Sequence, residues 1–434
     1  MKTLKSGWRV KPERSSLSEL EFVPTLIQRA VAFVILAALS ADAQKFYAYV
    51  DDLGSDYIEL AWGTADGRNT IGRSAPSHGE AVVEIAGQKL VTRANQITVG
   101  SLSPDHEYSY KISIGASTVG QGEVRTWAAK SQRLVFFVIG DYGTGRAPQY
   151  LIARAMWDEF QRRAKTDNPV RFILSVGDNI YGNIAGFLGG ALHTGADDAD
   201  WATKFYAPYE PLIARIPFFP SLGNHDGNET EKRGDLAAIL DNFPFPQDKP
   251  ARYYDFTYGD LAKFFALDST KNTESGPSRA GYLEDSAQFH WMQTEFARPH
   301  PQWVIPFFHH PPFTAGPLHS PSLAQLEHWV KLFAASGVKV VFNGHEHNLQ
   351  VSEASDRTSG ICFIVSGAGG ELRTGNLQAN MKQSGIRAWA AENHFLVVEI
   401  DGKIMKVTPL SFEPMKITDG EGHPVTLPIT ITEP

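Results

Sequence analysis

Two patterns of apolar and polar positions divide this chain. From residue 134 onward, predominantly apolar runs recur at Leu134–Ile139, 171–176, 261–267, 303–308, 338–342, 361–365 and 395–400. Such runs are typical of strands that are buried on both faces of a sheet. Between them, apolar residues at three- and four-residue spacing predict helices over 147–165, 286–297 and 322–336. The alternation of strand and helix predicts an α/β fold.

Residues 44–128 follow a different pattern, with short strand candidates at 57–62, 80–85, 96–99, 107–114 and 122–126. Turn residues separate these candidates at the spacing expected of a β-sandwich. The segment Leu102–Tyr110 resembles the tyrosine-corner region of fibronectin type III domains. The resemblance implies a small all-β sandwich in front of the α/β region. We find no cluster of titratable residues in this segment, so we assign it no chemistry.

The N-terminus resembles an export signal. A ten-residue apolar run, Ala30–Leu39, follows Arg29 and precedes the small-x-small sequence Ala41-Asp42-Ala43. Ten residues are too few to span a bilayer, so we expect no stable membrane insertion. We therefore predict a secreted or periplasmic protein, and the alternative is that the run forms a core helix.

The predicted organisation has four parts, separated where the sequence pattern changes. They are a leader over 1–43, a fibronectin-like sandwich over 44–128, a catalytic domain over 132–412 and a tail over 413–434. Residues 129–132 form the predicted linker. The tail is rich in Pro and Thr and is interpreted either as a further strand or as a loose end.

Composition narrows the classes of function. The chain has 434 residues and a formal net charge of −8, which does not favour a nucleic-acid-binding surface. Its single cysteine, Cys362, excludes an intramolecular disulfide and lies in an apolar run, as expected of a buried thiol. Export without disulfides is more typical of bacteria than of a eukaryotic secretory route. No pattern predicts an oligomeric state.

Five short polar clusters carry the candidate chemistry. They are Gly140-Asp141-Tyr142-Gly143, Gly177-Asp178-Asn179-Ile180-Tyr181, Gly223-Asn224-His225-Asp226, Phe308-His309-His310-Pro311 and Gly344-His345-Glu346-His347. Four of them directly follow a predicted buried strand, and ligands of open α/β sheets collect beyond the carboxyl ends of strands. We therefore expect one face of the sheet to gather all five clusters.

The donor types in these clusters indicate a metal site. Carboxylate, phenol, amide and imidazole groups without a thiolate suit iron, manganese or zinc. A carboxylate shared between two cations is the arrangement used for in-line displacement at phosphorus. The clusters therefore predict a hydrolase with two metal ions.

The ordered clusters resemble the motifs of the metallophosphoesterase superfamily: GDxG, GDxxY, GNH(D/E), His-x-Pro and GHxH. Tyr181, three residues after Asp178, narrows the resemblance to the purple acid phosphatases. Residues 344–350 and Ser366-Gly367-Ala368-Gly369 resemble stretches of the small, mammalian-type members. The resemblance spans about residues 134–370. It implies a four-layer α/β/β/α fold, a β-sandwich flanked by helices, preceded by the fibronectin-like domain.

The resemblance also implies a role for each ligand. Asp141, Tyr181 and His347 would bind the first metal, usually Fe(III), and Asp178 would bridge. The second metal, which in the family is Fe(II), Zn(II) or Mn(II), would be bound by Asn224, His309 and His345. Charge transfer from tyrosinate to iron would colour such a protein.

The implied reaction is hydrolysis of phosphate monoesters by a secreted acid phosphatase, through attack of a metal-bound hydroxide in line with the leaving alkoxide. His225 and His319 are the candidates for binding phosphate or protonating the leaving group. Substrate contacts are further assigned to Asn224 and His310. A small-molecule phosphate ester is the expected partner.

Several alternatives remain open at this stage. Asp141 and Asp178 are residue types that also cap turns, and Tyr181 is a type that also packs in turns. His309 is preferred as ligand because Pro311 lies two residues on, whereas His310 is the alternative. The alternative functions are a phosphodiesterase or nucleotidase on the same scaffold, and a non-catalytic binding protein. The complete ligand set argues against the last.

Overall fold

The computed structural model describes residues 45–65, 71–72, 75–182, 200–226, 252–270, 280–375 and 377–433. The chain separates into two compact units, Met1–Lys45 and Phe46–Pro434. The elements below all belong to the second unit. The predicted leader, residues 1–43, lies outside the described residues.

Seven strands form the N-terminal part of this unit. They are β1 (Tyr47–Leu53), β2 (Ile58–Gly63), β3 (Ala81–Ile85), β4 (Gln88–Thr92), β5 (Gln96–Val99), β6 (Glu107–Ile114) and β7 (Ser117–Arg125). They build two antiparallel sheets with the orders β1-β2-β5 and β4-β3-β6-β7. This all-β part has strands at the five predicted places and at two more, β1 and β4.

Thirteen further strands follow among the described residues: β8 (Arg133–Ile139), β9 (Val170–Ser175), β10 (Phe218–Pro220), β11 (Tyr254–Tyr258), β12 (Ala262–Ala266), β13 (Trp303–Phe307), β14 (Val340–Asn343), β15 (Leu349–Ser352), β16 (Cys362–Ser366), β17 (Ile386–Ala390), β18 (Phe395–Asp401), β19 (Ile404–Leu410) and β20 (Ile429–Thr432). The described α-helices are α1 (Ala147–Ala164), α2 (Ala207–Ile213), α3 (Ala287–Phe296), α4 (Leu323–Ala335) and α5 (Gln378–Ser384). A π-helical turn, Ala202–Tyr206, precedes α2, and a 3₁₀ turn covers Asp356–Thr358.

These strands form two large sheets. One has six strands in the order β10-β9-β8-β18-β19-β20, and the other has seven in the order β11-β12-β13-β14-β16-β15-β17. Strands β8, β9 and β10 run parallel in the first sheet. Strands β12, β13, β14 and β16 run parallel in the second. The tail supplies β20, which pairs with β19 at the edge of the six-stranded sheet.

The two large sheets pack face to face through aromatic side chains. Phe136 of β8 contacts Phe264 of β12 and Phe342 of β14, with ring centroids 5.3 Å and 6.2 Å apart. On the opposite face of the seven-stranded sheet, α3 and α4 cover a separate apolar cluster that includes Phe265, Trp329 and Val341. Helix α1 buries Ile152 and Met156 against the core of the six-stranded sheet. The predicted four-layer α/β/β/α arrangement is confirmed.

The N-terminal sandwich shares a continuous buried core with these layers. Trp127, just after β7, packs its ring 5.8 Å from Phe172 of β9 and 5.2 Å from Tyr258 of β11. The hydroxyl of Tyr110 donates to the Ala214 carbonyl at 2.9 Å. The N-terminal sandwich is therefore packed against the α/β layers through apolar and polar contacts.

None of the described helices has both the length and the apolar character that crossing a membrane requires.

Candidate metal centre

The five polar clusters lie where parallel strands end, and two sheets contribute them rather than the single sheet we expected. Asp141, Asp178 and Asn224 follow β8, β9 and β10 of the six-stranded sheet. His309 follows β13, and the pair His345 and His347 follows β14, both in the seven-stranded sheet. The carboxyl ends of parallel strands share an edge, so the clusters converge at one end of the two-sheet sandwich.

Three of these residues adopt backbone conformations that non-glycine residues rarely occupy. Asp141, Asp178 and His345 have positive φ angles of 56°, 51° and 70°. Left-handed conformations at such residues cost about 1–3 kcal/mol each and cluster at functional sites. Each lies in the sharp turn that directly follows its strand. The surrounding packing therefore has to supply the free energy that holds these turns.

Glycine permits the close approach of these turns. Gly177 has a φ of 91°, and a Cβ atom there would lie 2.7 Å from His309 Nδ1 and 2.9 Å from the backbone nitrogen of Gly223. Contacts that short do not occur between a real Cβ and its neighbours, so a side chain at Gly177 would push the strand ends apart.

The first group of donors consists of Asp141, Tyr181 and His347. The Tyr181 hydroxyl lies 3.1 Å from both Asp141 Oδ1 and His347 Nε2. His347 Nε2 lies 3.3 Å from Asp141 Oδ1. Asp141 and His347 are buried and Tyr181 is half-buried. Three donor atoms thus form a small triangle of carboxylate, phenol and imidazole.

The second group consists of Asn224, His309 and His345. His309 Nε2 lies 3.1 Å from Asn224 Oδ1 and 3.2 Å from His345 Nδ1. Its other ring nitrogen, Nδ1, donates to the Val176 carbonyl at 2.9 Å. This hydrogen bond fixes the orientation of the ring and directs Nε2 into the site.

Asp178 connects the two groups. Its Oδ2 lies 3.3 Å from His309 Nε2 in the second group. Ligand atoms of Asp178, Asp141 and His347 all lie within 4.8 Å of one another. The backbone nitrogen of His225 donates to Asp178 Oδ1 at 2.9 Å. A buried carboxylate therefore faces both donor groups at once.

The buried carboxylates of the site require a compensating positive charge. Burial disfavours a charged His309, but the carboxylates of Asp178 and Asp141 outweigh burial and raise the pKa of His309 to about 10. Burial acts to raise the pKa of Asp178, and His309 overcomes it and lowers that pKa below its usual range. A proton on His309 compensates the carboxylates here, and a bound cation would take its place.

Tyr181 keeps its proton in this environment. Burial, followed by the charges of Asp141 and Asp178, raises the pKa of Tyr181 well above its ordinary value. The phenol therefore donates a hydrogen bond to Asp141 Oδ1. Only a strongly charged cation would displace that proton and take up the phenolate.

The donor geometry fits a pair of metal ions. Ligand bonds of about 2.0–2.2 Å place neighbouring ligand atoms roughly 3.0–3.5 Å apart around one ion. The contacts within each group are 3.1–3.3 Å. Asp178 could serve both ions, and oxygen and imidazole donors without thiolate suit iron, zinc or manganese. The residues present thus fit a dinuclear centre.

The two candidate histidines of the His-x-Pro segment have different surroundings. His309 is buried among the donors described above. His310 instead contacts Ser269, whose Oγ lies 3.0 Å from His310 Nδ1 and accepts from the His310 backbone nitrogen at 3.0 Å. Its ring lies beside His345, with centroids 4.4 Å apart. The structure therefore places His309 with the ligands and His310 next to them.

The two predicted catalytic histidines lie on different sides of the site. His225 is exposed, and its ring centroid is 4.6 Å from that of Tyr181 in the first group. His319 stacks on His345 of the second group with centroids 3.8 Å apart. His319 is half-buried.

Two further residues near the site were not predicted. Arg373 Nη1 donates to His319 Nε2 at 2.9 Å, and Glu346 Oε2 accepts from the His319 backbone nitrogen at 2.9 Å. Glu346 lies inside the GHxH motif between two ligand candidates, a position that could have marked it. Arg373 follows β16, four residues beyond Gly369 of the Ser366-Gly367-Ala368-Gly369 stretch.

Comparison with known proteins finds a phosphoesterase family model and acid phosphatases among the similar proteins. The family model for the calcineurin-like phosphoesterase domain matches residues 134–349. Mouse tartrate-resistant acid phosphatase type 5 is 24% identical over 283 residues, which cover 60% of this chain and 80% of the relative. Purple acid phosphatase 17 of Arabidopsis thaliana is 28% identical over 280 residues, which cover 60% of this chain and 76% of the relative.

Solved structures share the fold over most of the chain. A structure of PhoD superposes with a TM-score of 0.60 at 16% identity, covering 88% of this chain and 92% of PhoD. The purple acid phosphatase PPD1 from yellow lupin seeds gives a TM-score of 0.59 at 15% identity, covering 87% of this chain and 74% of the lupin chain. At these identities the likeness is one of fold.

Proposed function

Since this chain carries a calcineurin-like phosphoesterase domain and is a metal-dependent phosphoesterase related to purple acid phosphatases, we propose that it hydrolyses phosphate monoesters at an Fe(III)–M(II) centre. M(II) stands for Fe(II), Zn(II) or Mn(II). Asp141, Tyr181 and His347 would hold the trivalent ion. Asn224, His309 and His345 would hold the divalent ion.

The observation that carries this proposal is the position of Asp178 between the two donor groups. One of its oxygens faces His309 of the second group at 3.3 Å. The same side chain lies within the cluster that it forms with Asp141 and His347 of the first group. One carboxylate shared by two groups of oxygen and nitrogen donors supports two ions held close together.

Tyr181 supports the assignment of iron to the first site. Its phenol oxygen shares a triangle with a carboxylate and an imidazole nitrogen. Its pKa is raised by burial and by the neighbouring carboxylates, so deprotonation needs a highly charged cation. A trivalent ion balances a phenolate and two carboxylates better than a divalent ion does.

Hydrolysis breaks the bond between phosphorus and the leaving oxygen, forms a bond from phosphorus to a water oxygen, and delivers a proton to the leaving alcohol. Metal ions in the site would polarise the phosphate oxygens and acidify the attacking water. The residues of the chain have to hold the phosphate group in one position and to prevent it from binding in others. Asn224 of the second group, which is half-buried, and the imidazoles of His310 and His319 line one cavity beside the proposed centre.

His319 is suited to donate a hydrogen bond rather than a proton. Burial, followed by the charge of Arg373, lowers the pKa of His319 to about 4. Arg373 also donates to His319 Nε2, so the proton of the neutral ring resides on Nδ1. His319 can therefore donate through Nδ1 to a phosphate oxygen while its charge stays neutral at ordinary pH.

His225 is left as the candidate for proton transfer or for a direct phosphate contact. It is exposed at the mouth of the site and tied to the centre by its backbone nitrogen, which donates to Asp178. An exposed imidazole can exchange protons with solvent between turnovers.

Substrate preference tests the proposed reaction. The protein, purified aerobically, should hydrolyse p-nitrophenyl phosphate much faster than bis-p-nitrophenyl phosphate across pH values from about 4 to 8. It should also contain iron and show a visible absorption band. A colourless, iron-free protein that prefers the bis ester and depends on manganese or zinc would contradict the proposal and indicate a diesterase on the same scaffold.

We also propose that the chain is exported, on the support of the apolar run and small-x-small sequence within residues 29–43. Expression with its own leader, followed by N-terminal sequencing of the protein recovered from the medium or periplasm, tests this. Retention of an uncleaved chain inside the cell would contradict it.

A further inference from the structure

A cavity of about 320 Å³ opens from the second donor group. Asn224, His345, His310 and His319 border it on the side of the proposed metal centre. The other described lining residues are Ser269, Tyr282, Ser322, Gln325 and Leu326. A phosphate ester held beside Asn224 and His345 would therefore place its alcohol portion in this cavity.

Three elements hold the walls of the cavity in place. The backbone nitrogen of Ser322, at the start of α4, donates to the Pro311 carbonyl in the His-x-Pro segment at 2.9 Å. Within α4, His328 Nε2 donates to the Tyr282 carbonyl at 2.8 Å. Ser269 contacts the ring and the backbone of His310. The cavity is thus a built part of the site.

The chemistry of the walls is polar but uncharged. Among the described residues that line the cavity there is no Lys, Arg, Asp or Glu. Serine hydroxyls, the Gln325 amide and the Tyr282 phenol offer hydrogen bonds, and Leu326 and the tyrosine ring offer apolar surface. The start of α4 adds a partial positive charge of about half a unit, which suits a hydroxyl oxygen and falls short of compensating a second phosphate.

Arginine side chains lie close by but outside this cavity. Arg373 contacts His319 and is not among the residues that line the cavity. Arg357 lines a separate cavity of about 720 Å³, which is also lined by His319. An anionic group on the alcohol would thus enter a space whose described walls offer it no compensating charge.

We propose that this cavity selects phosphate monoesters of small, uncharged alcohols, with one or two rings bearing hydroxyl groups, and discriminates against alcohols that carry further phosphates. The volume lies at the lower end of the range of small-molecule pockets, as a sugar-sized or aryl group requires. This inference rests on the proposed monoesterase activity and adds the class of substrate.

Gln325 offers a direct test because it is exposed and lines the cavity in the first turn of α4. Gln325→Lys places a cation in the cavity without removing core packing. Ala324→Lys is the matched control, since Ala324 is exposed on the same turn and is not among the described lining residues. The holoenzyme is assayed on p-nitrophenyl phosphate, glucose 6-phosphate and glucose 1,6-bisphosphate, and kcat/KM is compared.

The wild-type protein should hydrolyse the first two esters and show a lower kcat/KM for the bisphosphate. Gln325→Lys should raise the ratio of bisphosphate to monophosphate kcat/KM by about threefold, the size expected of a partly exposed ion pair, and Ala324→Lys should leave it unchanged. A wild-type preference for the bisphosphate, or an equal response of both variants, overturns the inference while hydrolysis of p-nitrophenyl phosphate sustains the proposed function. Failure to hydrolyse any of the three esters overturns both.

Discussion

At the scale of single residues, each donor depends on neighbours that fix its protonation and direction. His309 points Nε2 into the site because Nδ1 donates to the Val176 carbonyl. Tyr181 reaches the first group from three residues beyond Asp178, so a single turn supplies both side chains. Two residues of the same turn thereby face different parts of the site.

Tyr181→Phe should abolish the visible absorption band or shift it strongly. The phenol oxygen is 3.1 Å from two other candidate ligands of the first ion, and phenylalanine lacks that oxygen. The visible spectrum of the variant, normalised to its iron content, provides the measurement.

Tyr142→Phe is the control for this change. Tyr142 is buried in the neighbouring cluster, and its hydroxyl donates to Asn179 Oδ1 at 2.7 Å rather than to a donor of either group. Its spectrum should match that of the wild type. An unchanged spectrum in Tyr181→Phe, at unchanged iron content, would show that Tyr181 is not a ligand.

His394 should make the protein less stable as the pH falls below about 6.5. Burial lowers the pKa of this fully buried imidazole to about 4, so the unfolded chain takes up a proton at a higher pH than the folded protein does. The free energy of unfolding should therefore fall by about 2 kcal/mol between pH 7 and pH 5 from this residue alone.

His394→Asn tests that linkage because an asparagine side chain can still donate to the Glu392 carbonyl, which His394 Nδ1 contacts at 2.9 Å. Denaturant unfolding of the metal-loaded wild type and variant at the two pH values gives the difference. The change in the free energy of unfolding between pH 7 and pH 5 should be about 2 kcal/mol smaller in the variant than in the wild type. An identical pH dependence in both proteins would mean that His394 does not resist protonation.

At the scale of elements, the site depends on how closely the ends of parallel strands approach one another. The turn after β9 passes between those after β10 and β13, and Gly177 is the point of contact. The positive φ angles of Asp141, Asp178 and His345 occur in the same set of turns. Strained backbone and crowded glycines together hold the donors at contact distances.

Gly177→Ala should reduce both metal content and activity. Its Cβ would lie 2.7 Å from His309 Nδ1, so the second donor group has to move. We expect a loss of stability of at least about 2 kcal/mol, since steric overlap adds to the cost of a positive φ. Metal analysis and denaturant unfolding give the two readouts.

Gly337→Ala separates the cost of steric overlap from the cost of a positive φ angle. Gly337 follows α4 with a φ of 77°, and a Cβ there would meet no atom within 4 Å. This variant should lose only about 1 kcal/mol and keep its metal and activity. Equal effects of the two substitutions on metal content would contradict the proposed crowding at Gly177.

Strands and helices were predicted correctly where burial gave the sequence a regular apolar pattern. All seven strands read from apolar runs and all three helices read from periodicity are present within two residues of their predicted bounds. Strands β1, β4, β11, β15, β17 and β19 were missed. Of these, β1 carries Asp51 and Asp52, and β4 is largely exposed. Edge and mixed strands of this kind are stabilised by their partners, which local sequence does not reveal.

At the scale of the whole molecule, one hydrophobic core runs from the N-terminal sandwich to the last strand of the six-stranded sheet. The sandwich meets the α/β layers at Trp127, at Tyr110 and through the ion pair of Arg171 with Asp105 at 2.7 Å. A change in pattern at residues 129–132 suggested a linker, but packing across this point joins the two parts.

Trp127→Ala should destabilise the sandwich and the α/β layers together. Trp127 is 5% exposed and packs against aromatic side chains of β9, β10 and β11. The loss should be about 3–5 kcal/mol. In differential scanning calorimetry we expect one transition that moves as a whole to lower temperature.

Trp157→Ala is the corresponding control, because Trp157 of α1 is only half-buried and its ring lies 5.0 Å from the guanidinium carbon of Arg215. It should shift the transition much less than Trp127→Ala does. Two separate transitions, of which Trp127→Ala moves only one, would show that the sandwich and the layers unfold independently.

The part of the candidate site that lies in the sequence motifs was predictable. The ligand candidates each lie in a short cluster after a strand, and the structure brings these side chains together. Arg373, Tyr282 and Gln325 were not predictable, because they lie outside the five polar clusters, in separate loops and a helix turn. Only the tertiary packing of α4 and of the loop after β16 carries them to the site.

The central claim is that two metal ions share Asp178, and counting metal ions per chain tests it most directly. The aerobically purified protein should contain two ions per chain by inductively coupled plasma mass spectrometry, at least one of them iron. Asp178→Asn should lose metal and more than about a hundredfold of its activity on p-nitrophenyl phosphate, since loss of an outer partner of a metal ligand alone costs 10–100-fold. A wild-type protein that is fully active with one ion per chain, or an Asp178→Asn variant that keeps two ions and full activity, would contradict the account.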